Sequence, residues 1–385
     1  MNLKKLTLLL GSTLTVMSGA TISPSLPEIQ SYFGDVKNVE LLTRLVLTMP
    51  ALFIAIGAPL SGYIIDKVGR LWILGVSLLV YAFAGTAPLY LDSLMGVIIS
   101  RGLLGISIAG IMPTLTTLIG DYFEGEDRQQ MMGLQSAFMA FGGLVFVSSG
   151  GFLADIGWRW PFTLYAFSII LIPAVIFVLS EPKNEQEEEI AEQNGKSLTT
   201  QRIVFVGLIY LLAHFFMLVF YLIPVQLPFY FKEIGVESNT KIGLALAAFT
   251  FMGGLSALFY RRIKRKVSYE QVYFVLFFIS AASYFILSQT NSYWVIIISL
   301  FVGGMGFGLF MPNVKTHLMN AIPFSLRGRL MSGLTTVIFL GQFLSPVISR
   351  PLIEAYSLAS TYMISAIMLG VIGVVYFVYW IWHRV

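Results

Sequence analysis

Twelve long apolar runs, each near the 20 residues a helix needs to cross a hydrocarbon layer, take up almost the whole of this chain. Windows broken at charges and at Gly/Pro/Asn clusters place them at about 6–29, 42–65, 71–91, 94–120, 129–154, 160–180, 202–231, 240–260, 269–288, 292–319, 329–350 and 358–382. Lipid offers the backbone no other hydrogen-bonding partner, and the Leu, Ile, Phe and Gly content shows no period-2 alternation. These segments are therefore predicted to be helices, not strands of a barrel. Lys4 and Lys5 ahead of an apolar run to Ala20 imitate a signal peptide, but apolar character continues to about Ile29, which makes the segment a first span.

Composition agrees. Hydrophobic residues make up 57% of 385 positions and charged residues 11%, and the mean hydropathy is +0.81; a soluble domain has about 45–50% apolar and 25% charged residues. The net charge of +4 does not imply a nucleic-acid partner, because the basic residues are interleaved with the spans and build no basic-aromatic array. With no Cys, disulfides, thiolate metal sites and Cys nucleophiles are ruled out together, and His214, His317 and His383 are too scattered for a metal motif. H-E-x-x-H, G-x-G-D and G-x-S-x-G patterns do not occur, which argues against an intramembrane enzyme. The expected partners are the lipid bilayer and a small-molecule substrate, with no resident cofactor and a monomer as the functional unit.

The chain is also duplicated. Ile98 to Ile119 returns as Ile297 to Leu318, so that Gly105 falls on Gly304, Ala109 on Gly308, Pro113 on Pro312, Arg128 on Arg327 and Asp155 on Glu354. One copy carries Arg101 where the other has Leu300. Two similar membrane halves with an ionisable residue inside only one of them point to a secondary transporter whose substrate site lies between the repeats. The fold expected is all-α, twelve transmembrane helices in two pseudo-symmetric six-helix bundles: residues 1–180, a cytoplasmic linker at 181–201, and residues 202–385. The linker carries six Glu residues and almost no apolar content, too little to offset ordering entropy. Lys and Arg crowd the loops on the side of the termini, 16 against 6. The positive-inside rule then puts both termini in the cytoplasm of a multi-pass cell-membrane protein.

Gly62-Tyr63-Ile64-Ile65-Asp66-Lys67-Val68-Gly69-Arg70 after span 2 resembles the G-x-x-x-D-[RK]-x-G-R loop of the major facilitator superfamily. Arg101 to Gly105 fits that superfamily's R-x-x-x-G pattern in its fourth span, and Ser25-Leu26-Pro27-Glu28-Ile29 is similar to the L-P-x-I at the end of its first. Gly157-Trp158-Arg159-Trp160-Pro161-Phe162, Met311-Pro312-Asn313, Arg327-Gly328-Arg329 and Phe339 to Pro346 resemble its bacterial drug efflux branch. The branch's span-five signature is incomplete here, with Phe146 and Val147 at the Gly-Pro positions ahead of Ser148, Ser149, Gly150 and Gly151, and the acid familiar in span one is missing. The resemblance covers essentially the whole chain; it identifies the superfamily well and the substrate poorly.

In the Gly62 to Arg70 loop, Gly69 permits a tight turn and Asp66 is placed to meet a helix N-terminus of the second half near Gly328 to Met331. Arg70 is expected to pair with Asp121, and Arg128 belongs to the same conformational clamp. The second half has Tyr260-Arg261-Arg262-Ile263-Lys264 at the corresponding loop, so the clamp is one-sided. Arg101 lies about 9 Å from the centre of span 4 at the helical rise, and a cation at membrane depth costs about 2.5–3.5 kcal/mol on insertion scales. It either faces the substrate cavity or snorkels to the headgroups. Thr21, Arg101, Gln135, His214, Gln226, Asn313 and His317 are the candidate cavity residues. Asn313 and His317 share a helical face, while Lys315 points elsewhere. Glu28, Asp155, His214 and Glu354 are the candidate proton carriers, His214 because an imidazole titrates near neutrality. Pro224 and Pro228 around Gln226 suggest a broken end to span 7 that works as a gate. The Gly102/Gly105/Ala109 and Gly304/Gly306/Gly308 rows signal close helix packing; they lack the strand and Lys-Ser/Thr of a phosphate loop.

The activity expected is export of small amphipathic compounds by alternating access, driven by an ion gradient, most simply of protons. The alternatives are a solute importer, a uniporter or a lipid flippase of the same fold.

Overall fold

A computed structural model describes residues 2–182, 199–323 and 326–382, leaving out the side chains at 62, 63 and 66. The clamp residues Gly62 and Asp66 and most of the 181–201 linker thus lie outside what is described. The described residues hold twelve helices long and apolar enough to cross a membrane and no strand. They run Leu3–Tyr32, Val39–Ser61, Arg70–Leu89, Leu94–Tyr122, Gly125–Ile156, Trp160–Val178, Thr200–Glu233, Asn239–Lys264, Tyr269–Ser288, Tyr293–Ala321, Arg327–Ala355 and Leu358–Trp382, spans 1 to 12. These are the helices expected from the apolar runs, with ends shifted by a few residues.

Two spans are broken, and proline explains both. Span 1 is helical over Leu3–Ala20, passes through a tight 3-10 turn at Ser23–Ser25 containing Pro24, and resumes at Leu26–Tyr32. Span 7 is helical over Thr200–Phe220 and restarts at Leu222–Glu233, the restart carrying Pro224 and Pro228. Both breaks fall toward the face of the bundle opposite the chain termini, here the distal face; the other is the terminal face.

Apolar side chains gather into two cores. One is built from residues of the first half, among them Leu8, Leu14, Tyr81, Leu104, Ile111 and Phe162; the other comes from the second half, with Ile209, Phe231, Tyr273, Phe277, Leu300 and Phe310. Each core borrows one valine from the other half: Val147 of span 5 joins the second core and Val225 of span 7 joins the first. Within the halves the glycine rows act as packing surfaces. A Cβ on Gly102 would sit 2.7 Å from the ring of Phe53, and one on Gly105 2.8 Å from the Cα of Pro50, both in span 2. In the second half Gly304 and Gly308 lie against Phe249 and Gly253 of span 8 in the same way. Between the halves, span 5 runs along span 8 and span 2 along span 11.

Candidate functional site: the seam between the bundles

At the distal face polar side chains bind the halves together. Asp155 ends span 5 and caps span 8 across the seam: its Oδ1 accepts from the Asn239 backbone N–H at 2.6 Å, and its Oδ2 from the Thr240 N–H at 3.0 Å and from Ser238 Oγ at 3.2 Å. A carboxylate satisfies the orphan N–H groups of a helix start and meets the positive end of its dipole. The Asn239 side-chain amide donates to Glu28 of span 1 and to the Ala154 carbonyl at 3.2 Å. Ser23 donates to the Pro224 carbonyl, joining the breaks in spans 1 and 7. Arg44, six residues into span 2, donates to Gln226 Oε1 at 2.8 Å and lies 4.2 Å over the ring of Phe229; Gln226 in turn donates to Ser349 of span 11 at 3.4 Å. Glu40, Arg44, Gln226, Arg350 and Glu354 line a small recess here, and Glu354 pairs with Arg350 of its own helix at 2.5 Å.

Span 5 forms the seam with two Gly-Gly pairs. A Cβ on Gly142 would meet Thr13 of span 1 at 2.8 Å, and one on Gly143 would meet Thr250 of span 8 at 2.9 Å. One register further on, Gly150 abuts the Thr21 carbonyl of span 1, while Gly151 lies 2.8 Å, by the same measure, from the Cα of Gly243 in span 8. Gly142 and Gly150 thus face their own bundle and Gly151 the other, while Gly143, equally 2.9 Å from Val16 of span 1 by this measure, touches both. On the opposite seam Thr336 of span 11 donates to the Ala55 carbonyl of span 2 at 3.2 Å.

The terminal face of the first half carries a separate network. Gly69 turns at φ +100°, where only glycine is free of strain. Arg70 pairs with Asp121 at 2.7 Å. Arg128 closes the end of span 4 by donating to the Phe123 carbonyl at 2.9 Å and to the Gly120 carbonyl. Glu181, just past span 6, was not among the expected residues; its carboxylate accepts from the backbone N–H groups of Arg70 at 2.6 Å and Leu71 at 2.9 Å, capping span 3.

Several expected cavity residues lie elsewhere. Arg101 is fully buried inside the first bundle: Nη2 donates to the Ser18 carbonyl at 3.1 Å and the Tyr165 hydroxyl at 2.8 Å, with the rings of Tyr165 and Phe162 at 4.7 and 5.8 Å. It neither faces a cavity nor snorkels, because spans 1 and 6 close over it. Thr21 returns its hydroxyl to the Met17 carbonyl at 2.6 Å and is buried at the span 1 break. Asn313 and His317 do share a face, but that face looks into the second bundle. Asn313 binds the Tyr260 hydroxyl at 3.1 Å and the Tyr269 carbonyl at 3.2 Å, and His317 stacks on Tyr269 with ring centroids 4.4 Å apart. Gln226 belongs to the distal network with Arg44 and Ser349. Gln135 reaches Ser12 of span 1 at 2.9 Å, and His214 sits 3.0 Å from the Val337 carbonyl of span 11; both are half-buried. The proton-carrier candidates Glu28 and Asp155 stand at the seam, and Glu354 at its rim. Arg44 could have been flagged by its depth in span 2, whereas the role of Asn239 has no signal in the sequence because its partners lie more than 80 residues away.

Residues 8–268 and 236–385 match the family model described as Major Facilitator Superfamily. The chain is 24% identical over 361 residues to the "Quinolone resistance protein NorA" of Staphylococcus aureus (strain N315), covering 91% of this chain and 90% of that protein. It is 26% identical over 266 residues to "Multidrug resistance protein 1" of Bacillus subtilis (strain 168), covering 68% of each. Among solved structures, a D-xylose-proton symporter superposes with a TM-score of 0.77 at 17% identity, covering 96% of this chain and 95% of that one. A bacterial homologue of the human lysosomal transporter Spinster, in an inward-facing and occupied conformation, gives 0.75 at 17% identity, covering 97% and 95%.

Proposed function

Because this chain belongs to the Major Facilitator Superfamily, and so is a multi-pass membrane transporter of small molecules and not an enzyme, we propose that it exports small amphipathic compounds by alternating access, driven by the proton gradient, with its terminal face in the cytoplasm. The observation that carries this reading is the distal lock: Asp155, Asn239, Glu28, Ser23, Arg44 and Gln226 tie the bundles together at one face across spans 1, 2, 5, 7 and 8. Rocking one bundle against the other breaks these contacts and opens the distal route. Direction and cargo are supported by the relatives named for quinolone and multidrug resistance. The terminal-face assignment is supported by the crowding of Lys and Arg there.

Proton coupling acts through groups whose charge holds the lock. Carboxylates of Glu28 and Asp155 accept hydrogen bonds across the seam, and a proton on either removes an acceptor and its attraction for the start of span 8. His214 bridges spans 7 and 11 within the moving bundle. The test is transport by everted vesicles energised to an acid interior. A quinolone should discharge the pH gradient and accumulate inside, and collapse of the gradient should stop accumulation. Compound movement that runs equally in both directions without a gradient would instead mark a uniporter or flippase, and gradient-driven loss from the vesicles an importer.

A further inference from the structure

We infer that the cargo carries a negative charge and that Lys315 of span 10 receives it in the terminal half of the cleft; the inference rests on the exporter reading and names its substrate class.

The orientation of Lys315 follows from its neighbours on the same helix. Asn313 and His317 point into the second bundle, and Lys315 is two residues from each, roughly 160° away around the helix. Trp294, Ile298, Phe301 and Met305 form the exposed apolar row of span 10, and Lys315 is about 70° off that row. Tyr260 of span 8 packs on the remaining side, its hydroxyl 2.8 Å from Thr316. Lys315 continues the Gly304/Gly308 row that lies against span 8, and past the level where Tyr260 carries span 8 to the Thr316 side it falls in the sector between spans 7 and 8, where the bundle faces its partner. There the side chain is solvent-accessible yet surrounded by protein atoms, the combination that belongs to a cleft and not to a lipid-facing surface. The duplication supports the placement: its counterpart on span 4 is Thr116, also exposed, which spends its hydroxyl on the Met112 carbonyl at 3.0 Å.

Among the described residues no charge answers this lysine. Every carboxylate on the described spans sits close to a helix end, as Glu28, Glu40, Asp121, Asp155, Glu233, Glu270 and Glu354 do. Lys315 makes no hydrogen bond or ion pair among the described residues. Arg101, the other deep cation, is shut inside the first bundle. Among the described residues the cleft therefore shows one accessible ammonium with no compensating acid, and Met311, half-buried, one turn deeper. An amphipathic carboxylate or sulfonate fits that pairing of charge and apolar wall, while an organic cation is repelled.

Three fluorescent probes separate the possibilities in everted vesicles: anionic anilinonaphthalene sulfonate, neutral N-phenyl-1-naphthylamine on the same aromatic scaffold, and cationic ethidium. Wild type is expected to concentrate the sulfonate, Lys315→Met to lower its uptake at least about tenfold, and Lys315→Arg to stay within about threefold, with the neutral probe changing less than about twofold in either variant. Sulfonate uptake unaffected by Lys315→Met, equal loss of sulfonate and neutral probe, or transport of ethidium without the sulfonate would each overturn the inference and leave export standing. No uptake of any probe by wild type would overturn both. If Lys315→Met melts well below wild type, competition in the wild-type protein decides: naphthoate should displace the sulfonate and naphthylmethylamine should not, and the reverse order refutes the anion site.

Discussion

Arg101 shows how differently one residue is read by depth and by contact. From the sequence it is a cavity cation, because a charge that deep needs a polar neighbour. The structure supplies that neighbour from within the bundle, through the Ser18 carbonyl and Tyr165 hydroxyl. Arg101→Ala is therefore expected to fail first in folding: it leaves a void and strips two buried acceptors of their donor, a loss of roughly 1–3 kcal/mol for each unsatisfied group. Purified Arg101→Ala should melt below wild type, and Tyr165→Phe should lie between them; normal melting with lost transport would return Arg101 to the cleft. Asp155 belongs to the same scale. Asp155→Ala removes a helix cap worth about 1 kcal/mol, so the distal face should open about fivefold more often. Because the chain has no cysteine, a single one introduced at the buried Ser25 reports that opening directly through its labelling rate from the distal side.

At the scale of elements, span 5 is the informative helix. Gly151 faces span 8, whereas Gly142 and Gly150 face span 1, so substitutions on the two sides of this helix should have different consequences. Gly151→Val crowds the moving interface; at about 1–3 kcal/mol for overpacking, it should shift the bundles toward the distally open state by about 5- to 150-fold, read as faster labelling at position 25 with melting little changed. Gly142→Val crowds the static interior of the first bundle and should lower the melting temperature. The twelve helices were legible because lipid leaves apolar runs no alternative structure. The Gly69 turn and the Arg70–Asp121 pair were legible because they are local to one loop and the adjoining helix end. The cavity was not, since periodicity tells which residues share a face but not which neighbour that face meets. Asn313 and His317 do share a face, but that face meets spans 8 and 9 inside the second bundle.

For the molecule as a whole, the described network is asymmetric. Distal contacts join bundle to bundle, whereas Arg70, Asp121, Arg128 and Glu181 tie spans 3, 4 and 6 within the first half. That half is expected to move as a rigid unit pivoting on the span 5/span 8 and span 2/span 11 seams. Glu181→Ala loosens its base by freeing two N–H groups at the start of span 3, and should slow transport and speed amide exchange at Arg70 and Leu71 while leaving labelling at position 25 near wild type. Asp66→Asn should abolish flux with folding retained if the Gly62 to Arg70 loop clamps the second half; unchanged flux would remove the clamp.

The exchange of valines between the two cores bears on how such a machine responds to cold. Opening the distal face withdraws Val147 and Val225 from their foreign pockets and wets them, each at a cost near 1.5–3 kcal/mol. Wetting apolar surface raises heat capacity, here on the order of 0.1 kcal/mol/K for two such side chains, and the penalty shrinks as temperature falls. Chilling should therefore unlatch the protein on that side, and its switching equilibrium should trace a curved van't Hoff plot.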